Sequence, residues 1–129
     1  MPMIVLDASA LIAFVQREPG GARVQSALRS SVISAVNFTE VSNKLHGNLG
    51  NANGAIAVSA LEPLLQEIPP YSASDCAAAS AIHAGHRNLG LSLGDCICLA
   101  LGQKLGADVW TCDRAWAQLD PTYRVIVIR

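Results

Sequence analysis

The stretch Ile4-Val5-Leu6-Asp7-Ala8-Ser9-Ala10 decides how this chain is read. Three aliphatic residues without apolar/polar alternation predict a short strand buried on both faces. The run stops at a carboxylate, and the small residues leading into Leu11-Ile12-Ala13-Phe14 predict the start of a helix. An acid at the carboxyl end of a central parallel strand stands where open α/β sheets bind their ligands. Asp is also a preferred helix N-cap. On this stretch alone both readings of Asp7 are open.

Beyond this stretch, strand and helix patterns alternate along the chain. Gln16 to Gly21 is a polar break punctuated by Pro19 and Gly20. Ala22 to Ser30 has helical spacing, and Val32-Ile33 is a short strand candidate. Ser34 is the expected N-cap of a helix from Ala35 to about His46. Gly47 to Gly54 reads as an exposed, turn-rich connection, and Ala55 to Leu65 as a helix that Pro63 kinks or ends. Glu67-Ile68 leaves room for a short strand before Pro69-Pro70. Ser72 to Ala84 is an Ala-rich helix, and Cys96 to Leu105 an apolar helix ended by Gly106. Asp108 to Thr111 is a strand, Arg114 to Ala117 opens a short helix, and Val125 to Ile128 is a final β-branched strand. This order predicts one α/β domain over residues 1–129, with a mostly parallel sheet of about four to five strands flanked by helices on both faces.

Composition narrows the function. The 129 residues are 51% hydrophobic and 15% charged, enough for one substantial core. No apolar run reaches the roughly 20 residues of a membrane span. Met1-Pro2-Met3 leads into a strand without a basic region and an apolar signal segment, so a cytoplasmic chain is expected. The net charge of −1 argues against nucleic-acid binding by a broad basic surface; such a partner would need a local site. The four cysteines, Cys76, Cys96, Cys98 and Cys112, form no C-x-x-C pair and are expected to be buried, reduced thiols. A zinc site from Cys76, His83 and His86 fits no familiar spacing.

Four acids remain. Asp7 and Asp113 follow strands, Asp95 opens a helix and Glu40 sits early on another. Each has a bland explanation: a cap for Asp7 and Asp113, a capping box with Ser92 for Asp95, a surface pair with Lys44 for Glu40. In a doubly wound sheet, however, all four lie at one carboxyl edge. Acids crowded there would raise one another's pKa values unless cations were present. Such an oxygen-rich environment suits Mg²⁺ or Mn²⁺, which can bring a phosphate to the site and activate a water for in-line attack.

At these residues the chain resembles a family. The strand ending in Asp7-Ala8-Ser9-Ala10, the run Ser34-Ala35-Val36-Asn37 leading to Glu40-Val41, Leu91-Ser92-Leu93-Gly94-Asp95, and Thr111-Cys112-Asp113-Arg114-Ala115-Trp116 are similar to the PIN domain. More narrowly they resemble the VapC-type toxins of toxin–antitoxin pairs, over essentially the full length and in the same order. The resemblance implies a magnesium-dependent endoribonuclease that arrests growth by cutting RNA, with Mn²⁺ as the other candidate ion. It assigns Asp7, Glu40, Asp95 and Asp113 as the catalytic and metal-binding quartet, Asp7 and Asp95 foremost as direct ligands. Ser9, Asn37 and Thr111 are neighbours suited to orienting a carboxylate or a phosphate, with local capping bonds as the competing role. Arg114 is either an RNA-backbone contact or a solvated side chain. The resemblance further implies an RNA substrate, a cognate antitoxin and a homodimer.

Three other readings compete. A haloacid-dehalogenase-type phosphatase wants a second acid two residues after the first, where this chain has Ser9. A receiver domain needs paired acids after its first strand and leaves Glu40 unexplained. A non-catalytic PIN-like module that binds RNA or protein would keep the fold without the chemistry, yet all four acids are present here.

Overall fold

A computed structural model describes residues 2–129. Four parallel strands, β1 (Ile4–Leu6), β2 (Ser31–Val32), β3 (Asp108–Thr111) and β4 (Val125–Val127), lie in the order β2-β1-β3-β4. β1 is central, pairing Val5 with Val32 on one side and Leu6 with Trp110 on the other, while Thr111 pairs with Val127. Because all strands run the same way, their carboxyl ends share one edge.

The alternation of side chains along a strand divides the core in two. Ile4 and Leu6 pack with Leu11, Val41, Leu45 and Leu61 on one face. Val5, Val32 and Val109 pack with Cys98, Leu99 and Trp116 on the other. The first face is covered by α1 (Ala8–Val15), α3 (Ala35–Leu49) and α4 (Asn51–Leu61); α5 (Cys76–Gly85) and α6 (Leu93–Leu105) cover the second. Leu6 and Leu11 have no exposed surface, and each such side chain contributes roughly 1.5–3 kcal/mol of burial. β1 is thus held from both faces, which fixes the position of the residue after it.

Several elements differ from the sequence reading. Gly47 to Gly54 is not a loop: α3 runs through Leu49, and α4 begins at Asn51. The break is confined to Gly50, whose φ of 83° lies in the region open to glycine. The Gly and Asn residues that suggested a turn are carried in helices by the α3–α4 packing. The helix expected over Ala22 to Ser30 is only α2 (Gly21–Gln25), followed by a 3₁₀ turn at Leu28–Ser30. β2 starts at Ser31, and the strand expected at Glu67-Ile68 is reduced to a single bridge between Glu67 and Val32. α4 stops at Leu61, before a 3₁₀ turn containing Pro63. Cys76 is exposed rather than buried, because it opens α5 on the solvent side; Cys96 and Cys98 are buried and Cys112 is half-buried. None of the helices among the described residues is long and apolar enough to cross a membrane.

Candidate active site

Asp7 sits at the N-cap of α1 with extended backbone, and its main-chain carbonyl accepts the first helical bonds from Ala10 and Leu11. Its side chain makes no cap bond. The carboxylate instead turns into the sheet edge, only 7% exposed. Oδ2 accepts the Ser9 hydroxyl at 2.7 Å and the Thr111 hydroxyl at 2.9 Å. Each hydroxyl is itself held by a backbone donor: Cys112 N–H donates to Ser9 Oγ and Asp113 N–H to Thr111 Oγ1, both at 3.0 Å. Two relays from the end of β3 therefore converge on one oxygen. Among the described residues no side chain donates to Oδ1, and no Lys or Arg pairs with Asp7.

Burial pushes the Asp7 carboxyl up from 3.8 to about 6, against the lowering effect of the two hydroxyls; the charge of Asp95 adds a smaller upward push. Mutual repulsion is thus the lesser cause, and desolvation the main one. Capping does not require such an environment: an acid at a helix start normally keeps its carboxylate in water, where it is stabilised.

Glu40 lies in the second turn of α3. It forms no ion pair with Lys44; its Oε1 accepts Asn37 Nδ2 at 2.8 Å. The same Nδ2 donates to the Gly94 carbonyl at 3.0 Å, so the fully buried Asn37 ties α3 to the first turn of α6. Gly94 matters sterically as well. A Cβ there would stand 2.6 Å from Glu40 Oε1, so only glycine lets the carboxylate lie against the helix start.

Asp95 follows directly. The expected capping box is present, with Ser92 N–H donating to Asp95 Oδ2 at 2.8 Å and Asp95 N–H to Ser92 Oγ at 3.1 Å. One oxygen is used by the cap and the other is not. Asp113 does the same at the end of β3: its Oδ1 accepts Ala115 N–H at 3.0 Å. Asp95 and Asp113 therefore combine a local structural role with a place on the carboxyl edge.

Cys98 lies one turn after Asp95 on α6. Its thiol is pushed well above the usual range, first by burial and then by the charges of Asp7, Asp95 and Glu40. Asn37 and Gly94 set Glu40 against the first turn of α6, the turn that carries Asp95. Asp113 joins the same edge through its backbone bond to Thr111. Among the described residues no three His, Cys, Asp or Glu side chains close into a ready-made metal cage. Mg²⁺ does not require one, since it commonly uses one or two carboxylates and keeps several waters. A buried, unpaired carboxylate beside further acids has the donor chemistry for such an ion.

Two contributors were not singled out from the sequence. Gly94 had a signal, a glycine in the first helical turn where it weakens the helix. Cys112 contributes through its backbone N–H, which side-chain chemistry does not announce.

The PIN domain family model matches residues 4–120. No curated protein matches the chain in sequence. Solved structures of similar fold include DNA-bound VapBC from Salmonella typhimurium (16% identity, TM-score 0.76, 98% of both chains covered). A toxin–antitoxin complex from Klebsiella pneumoniae has 19% identity and a TM-score of 0.71, with 95% of both chains covered. FitAcB from Neisseria gonorrhoeae has 19% identity and a TM-score of 0.71, covering 98% of this chain and 97% of its own.

Proposed function

The chain belongs to the PIN domain family, and from that premise we propose that it is a magnesium- or manganese-dependent endoribonuclease, the toxin of a toxin–antitoxin pair. The observation that carries the reading is Asp7: a carboxylate buried at the sheet edge, held by two neutral hydroxyls and left without a cation by the protein itself. Burying an ionised acid without a positive partner is costly, and a bound divalent ion removes that cost.

Asp7 and Asp95 would hold the ion, with Glu40 and Asp113 completing the site directly or through water. The ion supplies the positive charge that draws in and polarises a phosphodiester and lowers the pKa of water. The protein's own residues do the rest. Ser9 and Thr111 keep Asp7 in one orientation. Asn37 holds Glu40 by Oε1, leaving Oε2 to accept the proton of the attacking water. The water oxygen bonds to phosphorus as one P–O ester bond breaks, and the departing oxygen takes up a proton from solvent.

The toxin assignment is supported by the fold shared with the toxin–antitoxin structures. With it come an antitoxin partner, a homodimer and a cytoplasmic setting as parts of the same proposal. The test is incubation of purified protein with bulk RNA. Discrete fragments formed with Mg²⁺ or Mn²⁺ and absent with EDTA support the reading; intact RNA under every metal condition would transfer the chain to the non-catalytic, binding class.

A further inference from the structure

A nuclease site made of acids on a chain of net charge −1 still has to hold a polyanion. Positive charge lies beside the site rather than in it. A cleft adjoining the carboxyl edge is lined by Pro19, Gly20, Cys112, Arg114, Ile128 and Arg129. It is a built feature. Ile128 N–H donates to the Thr111 carbonyl at 2.9 Å, carrying the β3–β4 pairing one residue past β4. The wall opposite is Gly20, where a Cβ would meet the Ile128 carbonyl oxygen at 2.9 Å. Cys112, which also lines the cleft, is the residue whose N–H braces Ser9 and through it Asp7.

Two guanidinium groups rim this cleft. Arg114 Nε donates to the main-chain oxygen of Arg129 at 3.3 Å, which sets the two residues side by side. Arg129 Nη1 donates to Glu18 Oε1 at 3.2 Å and to the Pro19 carbonyl at 3.5 Å. The Glu18–Arg129 pair is about one-third exposed on both sides, so its hold on the charge is weak. A guanidinium has five N–H donors, and these contacts use one nitrogen of each arginine. Arg124 and Lys104 likewise pair with Asp108 and Asp75, but away from this edge.

The geometry points to a phosphate subsite: Arg114 and Arg129 bind the RNA backbone phosphate next to the one being cut, holding the strand across the acidic edge. This rests on the ribonuclease reading above. Arginine suits the role because its planar fork matches two phosphate oxygens. Such contacts position the strand without reading its sequence, and neutralising phosphates gives binding a salt dependence of about −0.7 per contact for single strands.

The test measures binding of a labelled single-stranded RNA in Mg²⁺ across a salt series, in an Asp7→Asn background that blocks cutting. Arg114→Gln with Arg129→Gln should weaken binding about tenfold or more and flatten the logarithmic salt slope by roughly 1.4, two contacts' worth. Arg114→Lys with Arg129→Lys should keep most of the slope. Arg29→Gln, an exposed arginine outside the cleft, should change neither. An unchanged affinity and slope in the Gln pair overturns the subsite, as does an equal loss of slope in the Lys pair, which would mark the arginines as structural supports. The parent chain's cleavage of RNA is scored separately. A parent that cuts while the slope is unmoved sinks only the subsite, and a slope that moves in a chain that never cuts sinks only the nuclease.

Discussion

Thr111 donates its hydroxyl to Asp7 Oδ2 across the β1–β3 pair, at 2.9 Å, while the same oxygen atom of Thr111 accepts the N–H of Asp113. One side chain thus links two acids that follow different strands. Thr111→Val keeps the shape and removes both bonds. Asp7 then loses a donor that lowers its pKa, so the midpoint of its titration should rise above about 6. The acid limb of the pH–activity profile should move to higher pH, and stability should fall by about 1–3 kcal/mol for the bonds lost. A profile that stays put would show that Asp7 does not set that limb.

Asp7 also predicts how stability depends on pH. Its carboxyl is raised in the folded state, from 3.8 to about 6, chiefly by burial. The folded state therefore binds more protons than the unfolded state between those values, and stability falls as pH rises through that window. Above it, the ionised form costs on the order of 3 kcal/mol. Asp7→Asn should be more stable than the parent at pH 7–8, and the advantage should vanish near pH 4. Melting curves at the two pH values check this. Cleavage should be abolished in the variant, and unfolding of Asp7→Asn at pH 7 would restore the capping role instead.

Gly94→Ala separates activity from stability. In the first turn of α6 alanine favours the helix by up to about 1 kcal/mol, yet its Cβ collides with Glu40 Oε1. The side chain can swing away because a glutamate end is flexible. Melting temperature should change little or rise, while cleavage falls by roughly tenfold or more, about 1.4 kcal/mol in the barrier. Parent-like activity would remove Glu40 from the machinery.

Asn37→Ala should act differently. It deletes the donor shared by Glu40 and the Gly94 carbonyl and leaves a cavity at a fully buried position. Both stability, by about 1–3 kcal/mol, and cleavage should decline. Asn37→Asp, which places a second acid against Glu40, should be worse for folding at pH 7 and partly recovered in acid. Equal behaviour of the two variants would argue that the amide bond to Glu40 has no electrostatic role.

Much of the fold was legible because burial leaves simple traces. Ile4 to Leu6, Asp108 to Thr111 and Val125 to Ile128 showed strands as apolar or β-branched runs, and the Ser34 and Ser92 caps marked two helix starts that the structure keeps. Gly47 to Gly54 misled because local turn chemistry was overridden by packing between α3 and α4, which a linear reading cannot weigh. Asp7 and Asp113 were visible as acids in strand-end positions, and Asp95 and Glu40 as acids near helix starts. What distinguished Asp7 from a cap was not: the absence of a side-chain cap bond and the two hydroxyl relays depend on Thr111, over a hundred residues away in the chain. Likewise, the choice of Glu40 between Lys44 and Asn37 turns on side-chain placement, since both partners lie at helical spacing.

On the proposed function, a divalent ion takes the place beside Asp7 that the protein's own side chains leave without a positive partner. Calorimetric titration of Mn²⁺ into the folded chain near pH 6, beside Asp7→Asn, tests it most directly. Saturable binding that releases protons is expected in the parent, since the carboxyl must give up its proton to bind metal, and greatly weakened binding without that release in the variant. Identical titrations of the two chains, or no binding to a parent shown to be folded, would contradict it.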